Sequence, residues 1–111
     1  MGIAIGAHET RNRVFLAPMS GLTDEPFRVL AHEYGAGLVV SEMVASNALV
    51  EARPDMVQRA TGAGSISPFV LQLAGREPEW MARGAELAQQ IGADIIDINM
   101  GCPAREVAGK L

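Results

Sequence analysis

The chain has 111 residues, 49% of them hydrophobic and 5% aromatic, with a formal net charge of −4 at pH 7. That is the composition of a soluble globular chain long enough for one small core, with no apolar run near the roughly 18–20 residues of a membrane helix and no secretory signal at its start. The acidic balance argues against a nucleic-acid surface, which is normally basic, and a single cysteine, Cys102, leaves no internal disulfide and fits a reducing cytoplasm.

Residues 1–12 hold little pattern. Ile3 and Ile5 alternate with Gly and Ala, and Ala7-His8-Glu9-Thr10 reads as a turn, so a short hairpin or an irregular lead-in is expected, with His8 a solvated loop residue. Arg13 to Ala17 (RVFLA) is the first strand, a short apolar run suited to a sheet covered on both faces. Pro18-Met19-Ser20-Gly21 ends it. Thr23 or Asp24 can cap the next helix, and Pro26 is tolerated in its first turn. Phe27, Leu30, Ala31 and Tyr34 fall at i, i+3, i+4 and i+7, which predicts one buried face, and Gly35 is the natural stop.

Leu38 to Ser41 (LVVS) is the second strand, followed by Glu42-Met43. Residues 45–60 read as one or two short helices interrupted by Pro54. Thr61 to Ser67 (TGAGSIS) has the flavour of a phosphate cradle, but lacks both the G-x-G-x-x-G spacing and a following helix, and reads as a plain loop. Pro68 to Leu73 (PFVLQL) is the third strand, with Gln72 out of place in it. A helix starts through Pro78, and Trp80, Gly84, Leu87 and Ile91 form an apolar stripe with Met81, Ala85 and Ala88 beside it. The single Trp reads as core rather than as a stacking platform. Gly92 stops this helix, Asp94 to Asn99 is the fourth strand, and Ala104 to Leu111 begins a fourth helix.

Four short apolar strands alternating with helices mean an α/β fold with a parallel sheet. Two architectures fit: an open doubly wound sheet, or the first half of a (β/α)8 barrel. The doubly wound dinucleotide fold wants G-x-G-x-x-G after its first strand, and Pro18-Met19-Ser20-Gly21 is not that fingerprint. A full barrel takes about 250 residues, so 111 would hold half of one.

In a parallel α/β fold the active site lies at the carboxyl ends of the strands. The unusual residues gather there: Pro18, Met19 and Ser20 after the first strand, Glu42 after the second, Gln72 at the end of the third, Asn99 and Cys102 after the fourth. Cys102 can be a small buried hydrophobe, a nucleophile or a general acid. The nucleophile needs a base, and His32 is expected on the first helix, away from the strand ends. An acid needs no such partner. Gln72 and Asn99 can each satisfy a core hydrogen bond or read the edge of a heterocycle, since an amide donates and accepts at once. Asp97 shares a face with Asn99, and a buried carboxylate needs a partner that is not obvious before residue 111. Glu42 reads equally as an active-site acid or as the residue that starts its helix. No metal site is expected, since one Cys and two distant His lack ligand spacing.

The segments APMSGLTDEPFR (17–28), GAGLVVSEMVAS (35–46), VLQLAG (70–75) and DIIDINMGCPAREV (94–107) resemble the tRNA-dihydrouridine synthases, most nearly the bacterial B-type enzymes. The resemblance implies an FMN enzyme on a (β/α)8 barrel, with a helical C-terminal domain that helps to hold tRNA. NADPH reduces the flavin, hydride passes to carbon 6 of a D-loop uridine, and the cysteine of the GCP turn protonates carbon 5. Carried over by motif, Pro18, Met19 and Ser20 line the FMN, Gln72 bonds the isoalloxazine edge, Asn99 lies near flavin and uracil, and Cys102 is the proton donor. This favours the acid role for Cys102. Ser20 stands where Ala is common. The likeness covers only the N-terminal part of the family's catalytic domain, whose flavin-contacting Lys, active-site His and phosphate loops fall beyond residue 111. The expectation is therefore a partial TIM-barrel domain over residues 1–111, about four βα units, without the C-terminal half or the tRNA-binding domain. It is cytoplasmic, inactive alone, and prone to self-association through exposed strand edges. The alternatives are a flavin barrel enzyme acting on a free pyrimidine, similar to dihydroorotate dehydrogenases, and a non-catalytic half-barrel interaction module.

Overall fold

A computed structural model of the chain describes residues 1–101. Cys102, Pro103 and the fourth helix expected after them lie outside the described residues. The chain opens with a hairpin of β1 (Ala4–Ile5) and β2 (His8–Glu9), antiparallel. Buried Thr10 closes it, its N–H donating to the Ile3 carbonyl at 2.9 Å and its Oγ1 accepting from the Ile3 N–H at 2.8 Å. His8 is thus half-buried in a strand opposite Ile5 rather than loose in a loop.

The remaining elements are β3 (Phe15–Leu16), α1 (Glu25–Glu33), β4 (Leu38–Val39), β5 (Val44–Ala45), α2 (Ser46–Val50), α3 (Pro54–Arg59), β6 (Val70–Ala74), α4 (Pro78–Gln90) and β7 (Ile95–Asn99), the expected alternation except for β5, a strand the sequence reading did not foresee and whose Ala45 it placed in a helix. The fold is α/β. Its helix starts are those the sequence marks. Asp24 caps α1 by accepting from the Phe27 N–H at 3.0 Å, and Pro54 and Pro78 open α3 and α4, where a missing N–H costs nothing. The first strand is shorter than the run RVFLA suggests. The Asn12 Oδ1 accepts from the Val14 N–H at 2.9 Å, so a side chain takes a donor the ladder would use, and Val14 is exposed.

All pairs after the hairpin are parallel and neighbours follow chain order: β3 with β4, β5 with β6, β6 with β7. A bridge from Val40 to Val70 ties the two groups together. Val40 faces Val70, yet Val44 faces Leu73, so four steps along one chain match three along the other. The extra residue lies within Ser41-Glu42-Met43 and is a β-bulge. It turns the segment over. Leu38 and Val40 pack with Val70 and Ile95 on the face away from α2–α4. Val44 packs with Leu71 and Leu73 on the helix side, against Ala48, Leu49, Met56 and Ala88.

On that helix side α2 and α4 come close. Gly84 of α4 lies so near Ser46 that a Cβ there would stand 3.0 Å from the Ser46 Cβ. The buried Ser46 hydroxyl donates to the Ala74 carbonyl at 3.1 Å, which pins α2 to the end of β6. The α4 stripe is centred on Gly84 and Ala88, with Trp80 half-buried at its rim under the Arg83 guanidinium, 5.0 Å from the ring centroid. The α1 stripe departs further from expectation. Phe27, Leu30 and Tyr34 are 38%, 51% and 86% exposed, and the buried residue of α1 is Arg28. Periodicity made the helix amphipathic, but no described layer covers that side, while Arg28 turns inward to backbone carbonyls.

Candidate functional site

On β6 and β7 the face away from the helices carries Val70, Gln72 and Ala74 beside Ile95, Asp97 and Asn99, each pair in register. Its first rung is apolar, its later rungs polar. The polarity therefore lies at the carboxyl end of the strands, where the sequence placed it. The Gln72 Nε2 donates to Asp97 Oδ2 at 2.6 Å, and the Asn99 Nδ2 donates to Gln72 Oε1 at 3.3 Å. Asp97 thus finds its partner within the chain, which corrects the expectation of one beyond residue 111. Sequence distance concealed it, since Gln72 and Asp97 are cross-strand neighbours only once register is set. Asn99 Oδ1 accepts from the Gly101 N–H at 3.0 Å, fixing the chain immediately before Cys102. Cys102 itself is outside the described residues.

The bulge supplies the next layer. Ser41 is fully buried, and its Oγ accepts from the Gln72 backbone N–H at 2.9 Å and donates to the Glu42 carbonyl at 2.9 Å. A side chain thus replaces the ladder acceptor that the bulge displaces. Met43 follows, its sulfur 3.5 Å from Asn99 Nδ2 and its carbonyl bonded by Arg59 at 2.9 Å. Ser41, Met43 and Arg59 escaped the sequence reading. The one signal for them is Ser41, a small hydroxyl closing an apolar strand.

Glu42 does not start its helix, which begins at Ser46. It is buried, and its Oε2 accepts from the Gly21 N–H at 2.8 Å and pairs with Arg59 Nε at 3.6 Å. It ties the loop after β3 to the second strand. Gly21 sits at φ +80, where L side chains are strained. The same loop is locked from within, because buried Thr23 accepts from the Met19 N–H at 2.9 Å through Oγ1 and donates its own N–H to the Met19 carbonyl at 3.0 Å. Pro18, Met19 and Ser20 therefore form a fixed turn, half-buried at Pro18 and exposed at Ser20. Arg28 braces this turn from below, donating to the carbonyls of Thr23 at 3.1 Å and Thr61 at 3.1 Å. Burial pushes its guanidinium down from the ordinary value, opposed by Glu25, Glu42 and Asp24.

A cleft of about 440 Å³ opens beside Glu42, Arg28, Arg59 and Asp55, but its lining includes neither Gln72 nor Asn99. Its mixed charge reads as the back of the loop brace. The amide-lined strand ends are the chemically suited place for a ligand. His32 lies on α1 as expected, its carbonyl bonded by Arg11 at 2.6 Å, apart from these groups. Among the described residues no helix is long and apolar enough to cross a membrane.

The profile of the family described as dihydrouridine synthase matches residues 15–111. A probable tRNA-dihydrouridine synthase of Rhizobium leguminosarum is 61% identical over 99 residues, 89% of this chain and 31% of its own length. One of Rhodobacter capsulatus is 52% identical over 99 residues, 88% of this chain and 31% of its own. The tRNA-dihydrouridine synthase B of Escherichia coli K12 is 47% identical over 107 residues, 96% of this chain and 33% of its own. The chain thus spans about a third of the length of the curated relatives it matches.

Proposed function

This chain belongs to the dihydrouridine synthase family, and we propose that it forms the N-terminal part of an FMN-dependent, cytoplasmic tRNA-dihydrouridine synthase, about four βα units of a (β/α)8 barrel. The observation that carries this reading is the convergence of Gln72, Asn99 and the Gly101 backbone at the carboxyl ends of parallel strands, one residue before Cys102. Amides with a donor and an acceptor side by side suit the edge of a planar heterocycle, so the residues fit a flavin ring. When bound, FMN reduced by NADPH would supply the hydride that carbon 6 of the uridine takes up. Cys102 gives the proton of its thiol to carbon 5, which completes the addition of two hydrogens across the double bond, and the thiolate regains a proton from water. Gln72 would bond the ring edge, Asn99 would lie near flavin and uracil, and the Pro18-Met19-Ser20 turn, held by Thr23 and by Glu42 through Gly21, would line the ring. The uridine must leave its stack to reach this site.

The isolated 111-residue chain is inactive under this reading. Among the described residues β3 and β7 each pair on one side only, and such edges favour self-association, which sedimentation measures. The function is tested by expressing the protein that contains this chain in cells lacking their own dihydrouridine synthases and measuring dihydrouridine in tRNA by mass spectrometry. The unsubstituted protein restores it, and Cys102→Ala keeps the yellow cofactor and restores none. Equal restoration by both removes the proton-donor role, and restoration by neither, with protein present, removes the reading.

A further inference from the structure

We infer that Asp97 is a positioning residue: its carboxylate sets the direction of the Gln72–Asn99 amide relay and so decides which hydrogen-bonding groups Gln72 has left to offer a bound heterocycle. The identity of that heterocycle rests on the flavin reading above; the relay rests on the geometry of this chain alone.

A primary amide has two ends of nearly equal size, one donating and one accepting, and its neighbours choose which way it points. Here the two ends of the relay are unambiguous. The Asp97 carboxylate only accepts, and the Gly101 backbone N–H only donates. Asp97 draws Gln72 Nε2 to 2.6 Å, which turns Oε1 toward Asn99. Asn99 then offers Nδ2 to Oε1 at 3.3 Å and keeps Oδ1 for Gly101 at 3.0 Å. Reversing either amide alone would set two donors or two acceptors against each other. Of the three links, the 2.6 Å contact is the short, charge-assisted one and the 3.3 Å contact the weakest, so Asp97 is the anchor. Gln72 is 7% exposed, which limits competition from water. An amide nitrogen has two hydrogens and its oxygen accepts two bonds, so Gln72 retains one N–H and one acceptor position. That pair complements a ring edge on which a carbonyl adjoins an N–H. Asp97 acts on such a ligand only through Gln72.

The test is NMR of the 15N,13C-labelled protein that contains this chain, followed by titration with FMN. A through-hydrogen-bond coupling from Gln72 Nε2 to Asp97 Cγ is expected, with the backbone couplings between β6 and β7 as internal standard. Its absence while those couplings are seen overturns the inference without any variant. In Asp97→Asn, whose amide can present either end, the Gln72 proton shifts upfield and the Asn99 side-chain amide moves as well, although it does not touch residue 97. An unmoved Asn99 amide in the folded variant overturns the relay. Unsubstituted protein that shows the couplings but binds no FMN supports the relay and rejects the flavin reading, so the two failures are told apart.

Discussion

Replacing Glu42 tests how the loop after β3 is held. The carboxylate is buried, accepts from the Gly21 N–H at 2.8 Å and faces Arg59 Nε at 3.6 Å. Glu42→Leu removes both contacts and a charge that favours the buried Arg28 guanidinium. A hydrogen bond to a charged group contributes about 1.5–3 kcal/mol, and the lower end applies because the exposed Gly21 can turn to water. The Arg59 pair adds up to about 1 kcal/mol, since Arg59 is partly exposed. Together these give a loss of about 1.5–2.5 kcal/mol. Glu42→Gln keeps a neutral acceptor for Gly21 and should lose about half of that, roughly the difference between a charged and a neutral bond. With a urea slope of about 1.5 kcal/mol/M for a chain of this size, the Leu variant moves the unfolding midpoint down by about 1–1.7 M. Circular dichroism reads the midpoint, and hydrogen exchange at the Gly21 amide reads the local effect. A Leu variant within about 0.5 kcal/mol of the parent, the scatter of ordinary surface changes, or an unchanged Gly21 exchange rate, would refute the tether.

Leu71→Ala opens a cavity at a fully buried core position and should cost about 2–5 kcal/mol by urea unfolding; a loss below 1 would mean that α2 and α4 collapse onto the space. Gly84→Val drives a branched side chain into Ser46 and should destabilise by about 1–3 kcal/mol, whereas an unchanged midpoint would show that the helices separate freely. Asp55 lies below its ordinary carboxylate value chiefly because Arg53 Nε donates to it at 2.7 Å. Because its folded value is the depressed one, its contribution is present above the ordinary carboxylate range and fades as pH falls through it. Asp55→Asn should therefore lower the urea midpoint slightly at pH 6 and not at pH 3, and an equal effect at both would remove the ion pair as the cause.

Strand positions were legible because each run of β-branched and apolar residues stops at Gly, Pro or Asp on at least one side: RVFLA, LVVS and DIIDIN contain β3, β4 and β7, PFVLQL stops one residue short of the end of β6, and β5 lies in none of them. Proline marked the starts of α3 and α4 for the same local reason. What sequence could not carry is register. Gln72 stood out as an amide in an apolar run, but its carboxylate partner lies 25 positions on and becomes a neighbour only through the β6–β7 ladder. Glu42 was ambiguous because its meaning depends on Gly21, brought beside it by the β3–β4 pairing. The α1 stripe failed differently: a helical period shows that one side is apolar, not that something lies on it, and Phe27, Leu30 and Tyr34 stay exposed.

The extra residue between Val40 and Val44 behaves like a dislocation in a crystal, separating two stretches of one strand that are indexed to different layers. Before it, even-numbered side chains belong with Val70 and Ile95; after it, Val44 belongs with Leu71 and Leu73. Deleting one residue from 41–43 would restore simple alternation and leave Val44 opposite Leu73, but it would remove the extra residue that lets Ser41 bond the Gln72 N–H while Glu42 reaches Gly21. Anyone grafting this site onto another sheet would have to move residues 38–46 as one cassette, phase shift included.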